Sequence, residues 1–440
     1  MRHILCEDHG FGRLTPVADS VPTWEIRCGM FNLRERVELA TGHGAGAFLC
    51  RALLAPLVTA PGWAPLADEP SDRTMWWSGR LAPDVALVRR LAAQGDRDWI
   101  WRDAQGLLAA ALPAALGAEL AASWRAWEAD AWSGAVWELP AAVANLPGPP
   151  DAPAAAPLDW IWNLVPATAA AVTGDLAAVG PAAHARHPFG IIGEPAGAWT
   201  QASGLTRDTP AGVHVRGDHG LWLGSGGVEL APGTHVDTRN GPVVLDSGVR
   251  VGPHVALEGP LYVGRESRIK AGATVYGESS FGVGNRLAGE IGESTFGDFA
   301  NKQHDGFIGH AVLGSWVNLG AMTTCSDLKN NYGEVRVDLG DGLCDTGERF
   351  VGLLMGDHAK TAIGTLFNTG TVVGFATNIF GGGMPPKHVP AFRWGGAAGC
   401  PPYAAERAAA TGEIVLGRRS CRWTPDHARL FAFLAARAGA

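Results

Sequence analysis

The sequence predicts two fold classes in one chain, an N-terminal α/β domain and a C-terminal parallel β-helix. Three observations carry this. An aliphatic residue returns at every sixth position from Leu245 onward, whereas the first half lacks that period and is rich in Trp and Ala. The 60 glycines and 29 prolines, about a fifth of the 440 residues, follow no collagen period and so mark many tight turns. A chain of this length suits two or three domains. The expected division is residues 1–196, residues 197–396 and a helical tail over 397–440.

The β-helix is justified by its repeat. From Leu245 the chain reads LDSGVR, VGPHVA, LEGPLY, VGRESR, IKAGAT, VYG, with the aliphatic position at Leu245, Val251, Leu257, Val263, Ile269 and Val275. After an interruption the phase is expected to resume at Phe307, Leu313 and Leu319, and again at Phe367, Val373 and Ile379. Each hexad supplies a flat strand and a turn, and three hexads complete a triangular coil whose aliphatic residues stack inward. One coil cannot bury its inner face, so stability comes from stacked neighbours. The prism is expected from about Val228 to about Ile379. The non-repetitive stretch 323–350 must leave it as a loop, and loops on rigid scaffolds carry function disproportionately. Pro385 to Pro390 reads as extended punctuation, and Thr424-Pro425-Asp426 as the N-cap, first-turn proline and first-turn acid of a tail helix.

In the first half, ILCEDHGFGRLTP reads as a short strand running into a glycine loop. LRERVELATG predicts a helix with apolar positions Leu33, Val37, Leu39 and Ala40, closed by Gly42. PDVALVRRLAAQGDRDWIWRDAQGLLAAAL suggests a further helix and then a hairpin. The most apolar stretch, Gly106 to Trp124, is interrupted by Pro113 and Glu119 and reads as a soluble helix rather than a membrane span. ANLPGPPDAPAAAP, residues 144–157, is a proline-rich connection.

The net charge of -8 offers no basic footprint for nucleic acid or an anionic membrane surface. MRHILCEDHG lacks a signal-peptide pattern. The seven cysteines are scattered without a C-x-x-C pair, which fits reduced thiols and a cytoplasmic location.

ANKQHDGFIG, residues 300–309, gathers Lys302, His304 and Asp305 among small and aliphatic residues. Histidine titrates near neutral pH and is the natural base for an amine that must lose a proton before attacking a thioester. Asp305 or a backbone carbonyl would fix its tautomer, and a backbone N–H in the corner would serve the oxyanion. On the residues alone, a polar corner histidine is the favoured reading, and it is the resemblance below that turns it toward a base. The run GEIGESTFGDFANKQHDGFIGHAVLGSWVNLGAMTTCSDLKNNYGEVRV, continued by FNTGTVVGFATNIFGGGMPPKHVPAFRWGG, resembles the C-terminal domain of bacterial proteins of the sugar nucleotidyltransferase family. These are similar in turn to the bifunctional N-acetylglucosamine-1-phosphate uridyltransferase/glucosamine-1-phosphate acetyltransferase. The resemblance implies a nucleotidyltransferase-like, Rossmann-type α/β domain followed by a left-handed hexapeptide-repeat β-helix. It also implies a homotrimer whose intersubunit clefts acetylate a small-molecule substrate from acetyl-CoA. It carries the catalytic base onto His304, an acceptor contact onto Asn318, a coenzyme A contact onto Ala321 and substrate-loop contacts onto Asn331 and Tyr332. Phe307 stands in place of a substrate-binding tyrosine and Gly292 in place of a phosphate-binding lysine, so the acceptor need not be glucosamine 1-phosphate. Lys302 and Lys329 are candidates for an anionic substrate or the coenzyme's phosphates, with solvated surface charge as the plain reading. Cys325 is an alternative nucleophile without an evident base. His304, His310 and His358 lack the spacing of a three-histidine zinc site.

The same resemblance places a nucleotide loop at GFGRLTPVADSVPTWEI, which keeps Gly10, Gly12, Arg13, Pro16 and Pro22 but has Thr23 in the position of a lysine. A glycine loop of this kind would present N–H groups to a triphosphate. Arg80, after MWWSG, stands where a metal-binding acid is expected, which leaves Mg²⁺ without its anchor unless Asp8 or Asp159 replaces it. Three functions follow: acyl-CoA-dependent N-acyl transfer onto an amino sugar or similar amine, sugar-1-phosphate nucleotidyl transfer with Mg²⁺ by the first half, or a non-catalytic trimeric scaffold.

Overall fold

The structure is a computed structural model that describes residues 1–151, 156–179, 199–202 and 211–439. The expected boundary between 196 and 197, and residues 152–155 of the proline-rich connection, lie outside the described residues.

The first half is built on a six-stranded mixed sheet in the order β3-β2-β1-β4-β6-β5. Its strands are β1 (Arg2–Cys6), β2 (Gly46–Leu49), β3 (Trp63–Pro65), β4 (Thr74–Ser78), β5 (Trp99–Asp103) and β6 (Gly106–Leu112). β1 pairs in parallel with β2 and β4, and β6 runs antiparallel to β4 and β5. Ile4, Leu5 and Cys6 are fully buried, the continuous apolar run that a strand covered on both faces requires. Gly106–Leu112 is thus a strand of the expected hairpin and not part of a helix. Its alanines lie opposite tryptophans, Ala110 against Trp76 and Ala109 against Trp77, so small side chains make room for large ones. Pro113 then caps α3 (Ala114–Glu128).

α1 (Leu33–Thr41) begins with a capping box between Asn32 and Glu35 and ends at Gly42, with φ +71°. Its packing departs from the expected apolar stripe. Leu39 and Ala40 are half-buried, while Arg34, Glu35, Arg36 and Glu38 are buried. Ion pairs make this tolerable: Arg36 meets Asp175 at 2.6 Å, and Arg34 meets Glu25 at 2.7 Å and Glu38 at 3.0 Å. Asp175 comes from α5 (Leu164–Val179), which follows α2 (Val85–Ala92), α3 and the short α4 (Ala141–Ala144).

The second half is a triangular prism of short parallel strands. Three columns of parallel strands climb it, one running Leu221–Gly224 to His388–Val389 and bordered by the antiparallel Trp199–Ala202, one running His214–Arg216 to Phe307–Gly309, and one beginning Glu229–Leu230, Arg250–Val251, Arg268–Ile269. Leu245, Val251, Leu257, Val263, Ile269 and Val275 all point inward and are at most 3% exposed. The prism is longer than the repeat suggests. It includes His214–Arg216 and Leu221–Gly224 at one end, and His388–Val389 and Trp394–Gly395 at the other. The proline-flanked stretch 385–390 therefore holds a rung, paired with Val372–Val373.

The interrupted phase has a structural cause. Val275 pairs with Ile291, sixteen residues on, and Phe281 with Phe296, fifteen on, so two coils are shortened at their corners. As a result Ile308 points inward, fully buried, and Phe307 is half-buried, one position away from the expected phase. Leu313, Leu319, Phe367, Val373 and Ile379 do face inward.

The insert 323–350 leaves the prism after the strand Thr324–Cys325 and folds back as an antiparallel hairpin, Arg336–Asp338 with Leu343–Asp345. Val335 and Val337 pack against Leu14, Val17, Ile26 and Trp162 of the first half. The tail forms α6 (Ala405–Gly417) and α7 (Pro425–Arg437), with Thr424 capping α7. Leu430, Phe431 and Leu434 of α7 join one core with Trp24 and Trp77 of the sheet domain and with Phe375 and Phe392 of the prism. Among the described residues, no helix is long and apolar enough to cross a membrane.

Candidate active site

His304 lies at the corner between Asn301–Lys302 and Phe307–Gly309, and its side chain is exposed on the isolated subunit. The corner beneath it is built from specific parts. Lys302 pairs with Leu287 at an inward position of the prism and is 1% exposed. Its stem fills an aliphatic slot, and its ammonium donates to the carbonyls of Ala288, at 3.0 Å, and His304. Burial lowers its pKa to about 8, against the opposing pull of Asp305. Lys302 is therefore neither a solvated surface charge nor presented to an anion; it holds the corner's backbone. Gly289, one coil earlier at φ +70°, leaves room for that backbone, because a Cβ there would lie 3.0 Å from the carbonyl oxygen of His304.

The next coil is tied to this corner directly. Asn301 Nδ2 donates to Asn318 Oδ1 at 2.5 Å, and Met322 N donates to the carbonyl of Asp305 at 2.8 Å. His304, Asn318 and Ala321 thus share one edge of the prism on successive coils. Phe307 N donates to Thr324 Oγ1 at 3.3 Å. Asn331 and Tyr332 occupy a separate turn of the insert whose bonds are local: Tyr332 N to the Lys329 carbonyl, and Gly333 N to Asn331 Oδ1. Tyr332 is 70% exposed at φ +55°, and the Lys329 ammonium caps the Glu334 carbonyl. Gly292 ends the strand Glu290–Gly292, and its carbonyl accepts from His310 N. Cys325 is buried and faces into the prism; burial pushes its thiol up, away from the thiolate a nucleophile needs.

The three histidines stand at three different corners of the triangle, because His304, His310 and His358 each follow a strand of a different column. They cannot share a metal ion. His310 Nδ1 lies 2.8 Å from Asp327 Oδ2 and 3.9 Å from Glu293, and its ring stacks on Phe350 at 4.8 Å. Burial raises the Glu293 carboxyl above its usual range. The sequence suggests His310 only as a possible metal ligand and hides its carboxylate neighbours. The spacing that reveals the pair is seventeen residues, about one coil, from Glu293 to His310 and from His310 to Asp327.

In the sheet domain, Arg80 follows β4 and is fully buried. Its Nε meets both oxygens of Asp8 at 3.0 Å, its Nη1 meets Asp103 and Asp159 at 3.0 Å, and its Nη2 meets Asp103 at 3.0 Å. Burial raises Asp8 and Asp159 against the pull of Arg80. At Asp103, burial also pushes upward, but the Arg80 bonds win and hold the carboxyl below its usual value. The carboxylates available to Mg²⁺ are therefore already committed to a guanidinium, and the donor set does not fit a divalent cation. Gly10 serves this arrangement, since a Cβ there would lie 2.5 Å from Arg80 Nε, and its N–H bonds Asp8 rather than facing a ligand. Residues His9–Leu14 wind into a 3₁₀ turn, Gly12 is open, and Arg13 stacks over Trp160 at 4.4 Å. Thr23 N bonds Glu7 at 3.1 Å.

Comparison with known proteins agrees with this architecture. Residues 3–140 match the sugar nucleotidyl transferase family. A bifunctional sugar-1-phosphate nucleotidylyltransferase/acetyltransferase of Sulfurisphaera tokodaii is 27% identical over 100 residues, which cover 23% of this chain and 25% of that protein. The bifunctional protein GlmU of Acaryochloris marina is 33% identical over 120 residues, 25% of this chain and 23% of its own. That of Gloeothece citriformis is 29% identical over 146 residues, 33% of this chain and 25% of its own. The chain spans about a quarter of the length of the curated relatives it matches.

Proposed function

We propose that the prism is an acyl-CoA-dependent N-acyltransferase, with acetyl-CoA as donor, acting on an amino sugar, a sugar phosphate or a similar small amine. The observation that carries this reading is the edge on which His304, Asn318 and Ala321 stand, with the His304 backbone clamped by Lys302 and its ring left free. The imidazole takes a proton from the ammonium acceptor, and the amine attacks the thioester carbon. The tetrahedral intermediate sheds its second nitrogen proton to solvent and collapses to an amide, releasing the coenzyme thiolate, which receives the proton held by the imidazole. An exposed base needs a second wall to exclude water, and a homotrimer that sets a neighbouring prism against this edge would supply it. Asn318 would orient the amine, Ala321 would leave space for the pantetheine arm, and Phe307, Asn331, Tyr332 and Lys329 would line the acceptor side. The lack of a lysine at Gly292 favours an acceptor without a phosphate in that subsite.

The test is thiol release from acetyl-CoA with a panel of amines. His304→Ala should lower turnover by about a hundredfold or more with oligomer size unchanged, while His310→Ala should retain turnover. Full activity in His304→Ala would reject the assignment of the base.

A second reading, sugar-1-phosphate nucleotidyl transfer, is favoured by the family match over residues 3–140. The commitment of Asp8, Asp103 and Asp159 to Arg80 weighs against it. Pyrophosphate release from nucleoside triphosphates and sugar phosphates would revive it.

A further inference from the structure

We infer that the prism face carrying Arg250, Arg268 and Arg286 is a binding surface for a small multivalent phosphate anion. The three arginines lie in register on neighbouring parallel strands, Arg250 opposite Arg268 and Arg268 opposite Arg286. Val251, Ile269 and Leu287 beside them point inward, so all three guanidiniums leave the prism on the same side. Like charges placed opposite each other on adjacent strands are destabilising unless something offsets them.

Little in the molecule does so. Glu229 meets Arg250 at 3.4 Å, in a pair with both side chains more than half exposed. Among the described residues, Arg268 and Arg286 form no ion pair. Arg286 Nη1 donates only to the carbonyls of Glu266, Gly284 and Asn285. The turn after α6 adds a further positive charge, Arg419, which Arg418 and Arg268 crowd. Arg286 is correspondingly pulled down to about 10, by burial first and then by repulsion from Arg419, Arg268 and Arg250, which outweighs the nearby Glu266. This concentration of positive charge runs against the net charge of -8.

The size of the ligand follows from the geometry. Strands about 4.8 Å apart make a three-rung ladder of about 10 Å, the scale of a di- or triphosphate and too short to track a nucleic-acid strand. Guanidiniums bind phosphate oxygens in a planar, two-point mode that lysine cannot reproduce. The phosphates could be inorganic or borne by a nucleotide.

Calorimetric titration of the full chain with sodium tripolyphosphate tests it, with ATP and orthophosphate as separate arms. Tripolyphosphate should bind and weaken steeply as salt rises, and orthophosphate should bind far more weakly. Arg268→Glu and Arg286→Glu should each lower tripolyphosphate affinity by about tenfold or more, while His304→Ala leaves it unchanged. Arg268→Gln, checked by circular dichroism for a native spectrum, guards against a folding defect in the charge reversals. Tighter binding of ATP than of tripolyphosphate would make a nucleotide the source. Absence of heat with tripolyphosphate, or equal affinity in Arg268→Gln and Arg268→Glu to that of the unaltered chain, would overturn the inference.

Discussion

Lys302 shows how one residue can serve both the fold and the candidate site. It fills a slot that the neighbouring coil gives to Leu287, and its ammonium fastens the carbonyl of His304. Lys302→Met should keep the packing but release the corner, lowering the kcat of the proposed acyl transfer by about tenfold while the protein stays folded. The pH dependence has a definite sign. The folded-state pKa of about 8 lies below the ordinary 10.5, so below pH 8 both folded and unfolded forms carry the charge and its burial cost is fully present. Between 8 and 10.5 the unfolded chain binds more protons, so stability rises with pH. Comparing urea midpoints across this window should show that rise in the unaltered chain and not in Lys302→Met. Arg80→Ala should destabilise by about 3–5 kcal/mol, because it strands the buried Asp8 carboxylate; a urea midpoint unchanged from the parent would refute that. Sequence reasoning singled out His304 from its context and took Lys302 for a ligand or surface charge, because the two shortened coils shift the phase just before it. It could see Arg80 replacing an acid but not the three aspartates that surround it, since Asp8, Asp103 and Asp159 meet only in three dimensions.

At the level of elements, the repeat made the prism legible because each inward residue must stack on its equivalent, which leaves a periodic trace. The strand β6 was harder to read, because Ala-rich Gly106–Leu112 has the helix propensity of its residues, overridden by the tryptophans opposite them. The tail helix α7 was visible from its cap, but its destination was not. Phe431 packs edge-on against His358 at 5.2 Å, Phe375 at 4.8 Å and Trp423 at 5.2 Å. Below it runs a stack of rings on one corner, Phe299 on Trp316 at 4.3 Å and Trp316 on His358 at 6.1 Å. Phe431→Ala should cost about 3–5 kcal/mol and expose α7 to limited proteolysis. A protease pattern identical to the parent's would contradict that role for the helix.

At the scale of the whole molecule, the sheet domain, prism and tail share cores rather than merely touching. Phe375 and Phe392 sit with Trp24, Trp77 and Leu430, and Val312, Leu354 and Val372 sit with Leu14, Val17 and Val337. Unfolding followed by tryptophan fluorescence, which reports mainly the sheet domain, should therefore coincide with unfolding followed by the β-sheet circular dichroism of the prism. Two separated midpoints would show that the halves melt independently. The shared cores also bear on any attempt to dissect the protein. A fragment ending before the prism would lay bare Trp24, Leu14 and Val17, and a prism expressed alone would display Phe375, Phe392 and Val372 as a raw greasy wound. Such pieces should clump on purification, so each half has to be silenced by point substitution within the intact chain.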